Sequence, residues 1–139
     1  MADEKYSLIA LLFADRATRA EGGKANLHGV FQALISEEYP AQHENMAVFF
    51  KFTVPRGTSS VPVRLKITRP NGAKEWIPQL NIPVADRFAE GILNIQGFLF
   101  YEKGDHVFSL YVEDNCIAKY IIEANIGTPI RSPEDDYIH

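Results

Sequence analysis

The alternation of apolar and polar residues is the feature that most constrains the fold of this chain. In the clearest case, the apolar residues at odd positions from 61 to 67 alternate with Pro62, Arg64 and Lys66. A period of two places successive side chains on opposite faces of a β-strand, so this stretch predicts a strand with one buried face. Further strand-like runs follow at 8–14, 25–35, 48–54, 76–84, 92–100, 107–113 and 116–123. The chain therefore predicts an all-β protein.

Turn residues separate these runs. Proline, glycine, serine and asparagine cluster at 55–60 and at 69–72, and a Lys-Gly-Asp sequence occupies 103–105. About eight short strands joined by such turns predict a two-sheet antiparallel β-sandwich of about 7–8 strands. A small β-barrel is the alternative architecture, because it would show the same alternation.

Two local features place strands within this architecture. Pro78 and Pro83 interrupt the run at 76–84, and a proline cannot donate a hydrogen bond to a neighbouring strand. This run therefore predicts a strand at a sheet edge. The dipeptide Asp114-Asn115 lies between two β-rich runs, and both residues tolerate a positive φ, which predicts a tight hairpin there.

The apolar run Leu8–Ala14 raises the question of a membrane segment. It has seven residues, whereas a spanning helix needs about 20. The residues before it, Asp3-Glu4-Lys5, are net acidic, whereas a signal peptide begins with a positive charge. The run therefore predicts a buried strand and no membrane association. The single cysteine, Cys116, cannot form an intrachain disulfide, so we expect a reducing, cytoplasmic environment.

Length and charge predict the domain organisation. A chain of 139 residues suits one domain, which we place at 1–125, with a loose acidic tail at 126–139. The formal net charge is −4, and Glu134, Asp135 and Asp136 supply three of the negative charges. The body of the domain is therefore close to neutral, and this balance argues against nucleic acid as a partner.

Several short motifs along the chain resemble a known family. Ala14-Asp15 ends the first strand, Gly23-Lys24-Ala25-Asn26 follows, and Gly29-Val30-Phe31 comes next. A Pro40-Ala41-Gln42-His43 segment then precedes another strand. This order resembles an uncharacterised family of small bacterial all-β proteins, a domain of unknown function, over most of residues 6–123. The resemblance implies a β-sandwich-like fold and a bacterial or phage origin, and it implies no activity.

The sequence lacks the common patterns for catalysis and for metal binding. The four histidines, at 28, 43, 106 and 139, include no pair spaced by two or four residues, as a metal site on one strand or helix would need. No Gly-x-Ser-x-Gly elbow is present, and the Gly22-Gly23-Lys24 segment lacks the spacing of a phosphate-binding loop. We therefore predict no catalytic residues, no metal, no cofactor and no enzymatic activity.

Seven residues are candidates for binding. Asp15 and Arg16, with Arg19 nearby, directly follow an apolar strand and should lie at the rim of the fold. Asn26, His28, Arg64 and Lys66 belong to the polar positions of their strands, as do Gln32, Thr68, Asn94 and Gln96. Amides and planar cations on a sheet face can recognise a protein surface or a sugar beside an exposed aromatic ring. Trp76 or Tyr120 would supply that ring.

These observations favour a non-enzymatic protein-interaction or structural module that binds a protein partner or associates with itself. A small-ligand or carbohydrate-binding domain is the first alternative. A hydrolase with an unrecognised site is the second alternative.

Overall fold

The computed structural model describes residues 5–128, and the predicted acidic tail falls mostly outside them. Nine strands account for most of this part of the chain. They are β1 (Ser7–Arg19), β2 (Ala25–Val30), β3 (Ala33–Ser36), β4 (Ala41–Thr53), β5 (Ser60–Thr68), β6 (Lys74–Ala85), β7 (Phe88–Phe100), β8 (Gly104–Val112) and β9 (Asn115–Ile126). The all-β prediction is confirmed. In the described part of the chain, no helix is long and apolar enough to cross a membrane.

The strands form one curled sheet, whereas the alternation predicted two separate sheets. Their order is β2-β1-β4-β7-β6-β5-β8-β9-β3, with hydrogen bonds between all neighbours. β6 connects two halves of this order, β2-β1-β4-β7 on one side and β5-β8-β9-β3 on the other. It pairs with β5 along most of its length, but it pairs with β7 only through Val84–Ala89 and Ala85–Phe88. Alternation reports which face of a strand is buried, and it carries no information about which strands are neighbours.

One extended segment, 25–36, serves both ends of this order. Its first part, β2, pairs with β1, and its second part, β3, pairs with β9. Only Phe31 and Gln32 separate the two parts. The β3–β9 pair is parallel, so the prediction of a fully antiparallel arrangement is wrong at this pair. The sheet therefore curls until its two ends are joined by a single stretch of chain.

The core fills the inside of this curl. The ring of Phe13 on β1 lies 4.7 Å from Phe108 on β8 and 4.6 Å from Tyr120 on β9. Phe98 on β7 lies 5.6 Å from Phe108. Phe13 and Phe108 are both fully buried. Each buried aromatic side chain contributes about 1.5–3 kcal/mol through the apolar surface that it removes from water, so these rings hold the two halves together.

β6, the strand that contains Pro78 and Pro83, is an edge strand along most of its length but not at its C-terminal end. Although β6 lies inside the strand order, its residues 74–83 pair with β5 alone. Pro78 falls where the register between β5 and β6 shifts, at a bulge. Prolines are tolerated at both kinds of position because no hydrogen bond is required from them there.

The predicted hairpin between β8 and β9 exists, but its turn is one residue earlier. Val112 pairs with Asn115, so Glu113 and Asp114 form the turn. Glu113 takes the positive φ, 58°.

Arg69 joins the two halves at the end of β6 that does not pair with β7. Its side chain is 5% exposed, and its Nε donates to a Glu75 carboxylate oxygen at 2.7 Å. Its Nη1 donates to the carbonyl of Leu99 on β7 at 2.5 Å. The guanidinium also lies 4.7 Å from the ring of Phe98 and 4.6 Å from that of Tyr101. Arg69 therefore supplies a connection that backbone pairing does not make.

His106 is buried beside this connection. The residue is fully buried, its Nδ1 donates to the Gly104 carbonyl at 3.2 Å, and its ring lies 4.8 Å from Phe100. Its Nε2 has no hydrogen-bond partner among the described residues. Burial lowers the pKa of His106, and the positive charge of Arg69 acts in the same direction. The hydrogen bond to Gly104 and the carboxylates of Glu102 and Asp105 act against this shift.

We expect Arg69→Met to lower the free energy of unfolding by about 2–3 kcal/mol. The variant keeps much of the side-chain volume but loses the hydrogen bond to Leu99 and the stacking on two rings. Urea denaturation of the purified protein measures this change. Arg56→Met is the control, because Arg56 lies in an exposed turn. Equal stability of the two variants would contradict the role assigned to Arg69.

The buried imidazole predicts a loss of stability in acid. The unfolded chain takes up a proton on His106 near pH 6.5, whereas the folded protein, whose pKa is lower, does not. The free energy of unfolding should therefore fall as the pH drops below about 6.5, until the lower folded-state pKa is reached. Denaturation from pH 7.5 to pH 5 should show a smaller decrease for His106→Leu than for the parent protein. A pH profile of His106→Leu that is identical to that of the parent protein would refute the prediction.

Candidate functional site

Four residues form a patch on the outer face of β5, β6 and β8. We call Arg64, Lys66, Trp76 and Tyr111 the cation–aromatic patch. The Trp76 and Tyr111 rings lie 5.1 Å apart, the Arg64 guanidinium carbon is 4.3 Å from the Trp76 ring, and Lys66 Nζ is 3.1 Å from the Tyr111 hydroxyl. Trp76 remains 45% exposed. The patch therefore offers flat apolar surface and two positive charges at the same place.

Strand register explains how these side chains meet. On β5, Arg64 and Lys66 alternate with the buried residues Val63, Leu65 and Ile67 and so point outward. Lys66 pairs with Trp76 of β6. Arg64 pairs with Tyr111 of β8. Because β5 is the central strand of the three, both rings lean over its two cations.

The surroundings of the patch only partly neutralise its charge. Arg64 lies 3.8 Å from Asp114, whose side chain is fully exposed. An ion pair of this kind is weak, because water screens it. Glu113 accepts hydrogen bonds from Tyr6 at 2.8 Å and from Lys5 at 3.4 Å, and these bonds lower its pKa. Lys66 makes no ion pair with a carboxylate within the described residues, so its charge remains available to a ligand.

A second constellation surrounds Asp15, in the other half of the sheet. We call Asp15, Gly29, Phe31 and His43 the Asp15 cluster. His43 Nε2 donates to Asp15 Oδ1 at 3.0 Å, and the rings of Phe31 and His43 lie 5.0 Å apart. A Cβ atom on Gly29 would lie 2.5 Å from Asp15 Oδ2, and Gly29 has a φ of +76°. Only glycine fits this position without displacing the carboxylate, which the hydrogen bond from His43 holds in place.

A cleft opens beside this cluster. It has a volume of about 310 Å³, and we call it the Asp15 cleft. Its lining consists of Asp15, Arg16, Asn45, Met46, Asn94, Ile95 and Gln96. A shallower groove around Asp15 and Arg16 continues to His28, His43 and Glu44. The lining thus consists of three amides, one charge of each sign and two apolar residues.

The sequence-predicted binding residues separate into two places. Arg64, Lys66 and Trp76 meet in the cation–aromatic patch, whereas Asp15, Arg16 and His28 lie around the Asp15 cleft. Asn26 pairs with Thr18 and lines neither cleft nor groove. The predicted polar surface therefore consists of two separate surfaces, the cation–aromatic patch and the surroundings of the Asp15 cleft.

Two further expectations concern single residues. Tyr120 was a candidate for the exposed ring, but it is 6% exposed and packs against Phe13, so that assignment is wrong. Arg19 pairs with Glu90 of β7, and this hydrogen bond lowers the pKa of Glu90, with Lys51 adding a contact at 3.5 Å. Arg19 therefore makes its ion pair outside the Asp15 cleft and does not line that cleft.

Several residues of these sites are not among the sequence candidates, and three of them carry polar groups into the patch, the cleft or the cluster: Tyr111, Asn45 and His43. Tyr111 lies on an outward position of β8, and its alternation with the buried Leu110 and Val112 was the available signal. Asn45 enters the cleft because it pairs with Gln96 across β4 and β7, and His43 because it reaches β1. Those pairings depend on strand neighbours, which a single sequence does not give. Within residues 5–128, no group of three histidine, cysteine or acidic residues could hold a metal ion.

The fold and its surfaces define a small all-β protein with a nine-stranded curled sheet. A search of curated proteins finds no match. The chain belongs to a family of unknown function, DUF6941, whose model matches residues 9–125. The resemblance to an uncharacterised all-β family is thereby confirmed. Asp15, Gly29, Phe31 and His43, four of the residues that carried it, converge in the Asp15 cluster.

Several solved structures are similar to this chain at low sequence identity. An alkylpurine DNA glycosylase, AlkC, from Pseudomonas fluorescens aligns with a TM-score of 0.53 and 10% identity over 88% of this chain. This chain spans 31% of that protein. An immunoglobulin-like protein from Pseudomonas aeruginosa aligns with a TM-score of 0.47 and 10% identity, over 89% of this chain and 99% of the other. A CARDB domain from Pyrococcus furiosus gives 0.46 and 12%, over 91% and 100%. The likeness to the glycosylase concerns the fold alone.

The close approach of Gly29 to Asp15 predicts a specific cost of substitution. We expect Gly29→Ala to lower the free energy of unfolding by more than Gly22→Ala does. Both glycines have a positive φ, so both variants strain the backbone by about 1–2 kcal/mol. Only position 29 adds a collision, because nothing lies within 4 Å of a Cβ at Gly22. Chemical denaturation of both variants tests this, and equal losses would contradict the packing of Asp15 on Gly29.

Proposed function

We propose that this protein is a non-enzymatic interaction module that binds a protein partner through the cation–aromatic patch. The observation that carries the proposal is the exposed Trp76 ring with Arg64 stacked at 4.3 Å and Tyr111 at 5.1 Å. Tryptophan, tyrosine and arginine are the residues that most often dominate the binding energy of protein interfaces. Here all three meet on one face.

The charge of the patch favours an acidic partner. Arg64 and Lys66 point outward, and a carboxylate that approaches Lys66 would not have to displace an existing ion pair within the described residues. Since both cations are half-exposed, their attraction for a partner would be screened by salt. The partner segment would place its carboxylates on the cations and an apolar group on Trp76.

The surroundings of Asp15 support a non-enzymatic role. In nucleophilic catalysis, an Asp–His pair activates a side-chain nucleophile that lies within hydrogen-bond reach. The described residues that line the Asp15 cleft and its groove include no serine, threonine, cysteine, tyrosine or lysine. The only cysteine, Cys116, lies at the start of β9 in the other half.

We also infer that the two halves of the curled sheet behave as the layers of a β-sandwich. Two residue pairs of β6 and β7 connect them along that side, while rings from β1 and β7 pack against β8 and β9. Side-chain packing between facing layers is the principal contact in sandwiches. This arrangement leaves the outer faces free for partners.

The proposal predicts that an acidic peptide binds at Trp76. Because Trp76 is the single tryptophan of the chain, its fluorescence reports directly on the patch. A hexaglutamate peptide should shift this emission with saturation, and binding should weaken when salt rises from about 0.05 to 0.5 M. A hexalysine peptide should have no effect.

Variants test whether the patch is responsible. In fluorescence anisotropy with labelled hexaglutamate, Trp76→Ala and Arg64→Ala should weaken binding by tenfold or more. Phe88→Ala is the matched control, since Phe88 is also an exposed ring with a lysine 5.1 Å above it. Thermal unfolding checks that each variant is folded. Absence of saturable binding, or an equal loss in the Phe88 variant, would refute the proposal.

A further inference from the structure

The Asp15 cleft lies on β1, β4 and β7, away from the patch on β5, β6 and β8. Its volume, about 310 Å³, is at the lower end of the range of about 300–1,000 Å³ that small-molecule sites occupy. It therefore has room for a ligand of monosaccharide size.

We propose that the Asp15 cleft binds a hydroxyl-rich ligand, a sugar. Three amides from two neighbouring strands carry the proposal. Asn45 on β4 pairs with Gln96 on β7, and Asn94 lies two residues earlier on β7 and so faces the same side. None of these three amide side chains makes a hydrogen bond within the described residues. An amide both donates and accepts, and so does a hydroxyl group, so adjacent amides match adjacent hydroxyls.

Asp15 adds an acceptor that is already in position. His43 holds one of its oxygens at 3.0 Å, and the other lies against the backbone of Gly29. The side chain remains 60% exposed, so lone pairs are left for a ligand. A carboxylate that is fixed before binding loses little conformational freedom when it accepts from two neighbouring hydroxyls.

The other residues that line the cleft favour a sugar over a fully polar ion. The half-buried Ile95 gives the cleft an apolar side, on which the C–H face of a sugar ring can lie, whereas Met46 is 1% exposed and belongs to the core. Arg16, opposite His28 in the β1–β2 register, makes no ion pair with a described carboxylate. Its planar fork could donate to a hydroxyl or to the carboxylate of an acidic sugar. Neutral and acidic sugars both carry the hydroxyl groups that the amides would bind. Binding to Arg16 would distinguish the acidic sugars from the neutral ones.

The test follows the side-chain amides themselves. Glucose and glucuronate are titrated into uniformly ¹⁵N-labelled full-length protein, and the NH₂ signals of Asn45, Asn94 and Gln96 are recorded. We expect saturable shifts at these three amides with a dissociation constant of about 1 mM. Tighter binding of glucuronate, lost in Arg16→Gln, would assign an acidic sugar. Tighter binding of glucose would assign a neutral sugar.

Variants decide whether the cleft is the site. Asp15→Asn and Asn94→Ala should each weaken binding about tenfold while the thermal midpoint stays close to that of the parent protein. Gln79→Ala is the control, because this exposed amide lies near the patch. No saturable shift with either sugar, shifts confined to the Trp76 indole, or binding that survives both cleft variants would overturn the inference. Because the patch residues are unchanged in these variants, hexaglutamate binding is an independent readout, and either proposal can fail alone.

Discussion

The weak connection between β6 and β7 is the constraint on which the rest of the structure depends. Two residue pairs join these strands at one end, and residues 74–83 of β6 pair with β5 alone. Side chains therefore complete the connection. Arg69 binds the Leu99 carbonyl and lies between two rings, and the aromatic core fills the space between the halves. The curl is thus held by packing and by one buried cation more than by backbone hydrogen bonds.

The bulge in β6 also shapes the surface. Pro78 lies at the register shift, and Trp76 precedes it by two residues on the stretch that pairs with β5. The sheet therefore turns Trp76 toward Arg64 and Tyr111 before β6 crosses to β7. The bulge in the β5–β6 pairing thus lies close in sequence to the exposed ring of the patch.

Much of the local structure could be predicted from the sequence. Alternation located the buried face of β5 and the outward direction of Arg64 and Lys66, because a period of two has one interpretation. Turn residues indicated the β8–β9 hairpin to within one residue. Prolines indicated that β6 lacks a partner along one side, although its final residues do pair with β7.

What could not be predicted depends on contacts between distant strands. The parallel β3–β9 pair joins residues about 90 positions apart, and no local pattern encodes such a partner. The division of the polar candidates into two sites, and the entry of Asn45 and His43, follow from those partners. The sequence predicts a turn at Arg69, whereas the burial of its side chain depends on β7, which lies beside it in the fold.

The segment 25–36 has a consequence for assembly. Its backbone covers β1 with one part and β9 with the other, and the Phe31 carbonyl between them accepts a hydrogen bond from Tyr120. Release of this segment would expose the edges of β1 and β9 at the same time. Each of these edges could then pair with the corresponding segment of another molecule. Such reciprocal exchange is the route by which domain-swapped dimers form. Gly22 and Gly23, which precede the segment with positive φ and open surroundings, would serve as the hinge at its N-terminal end.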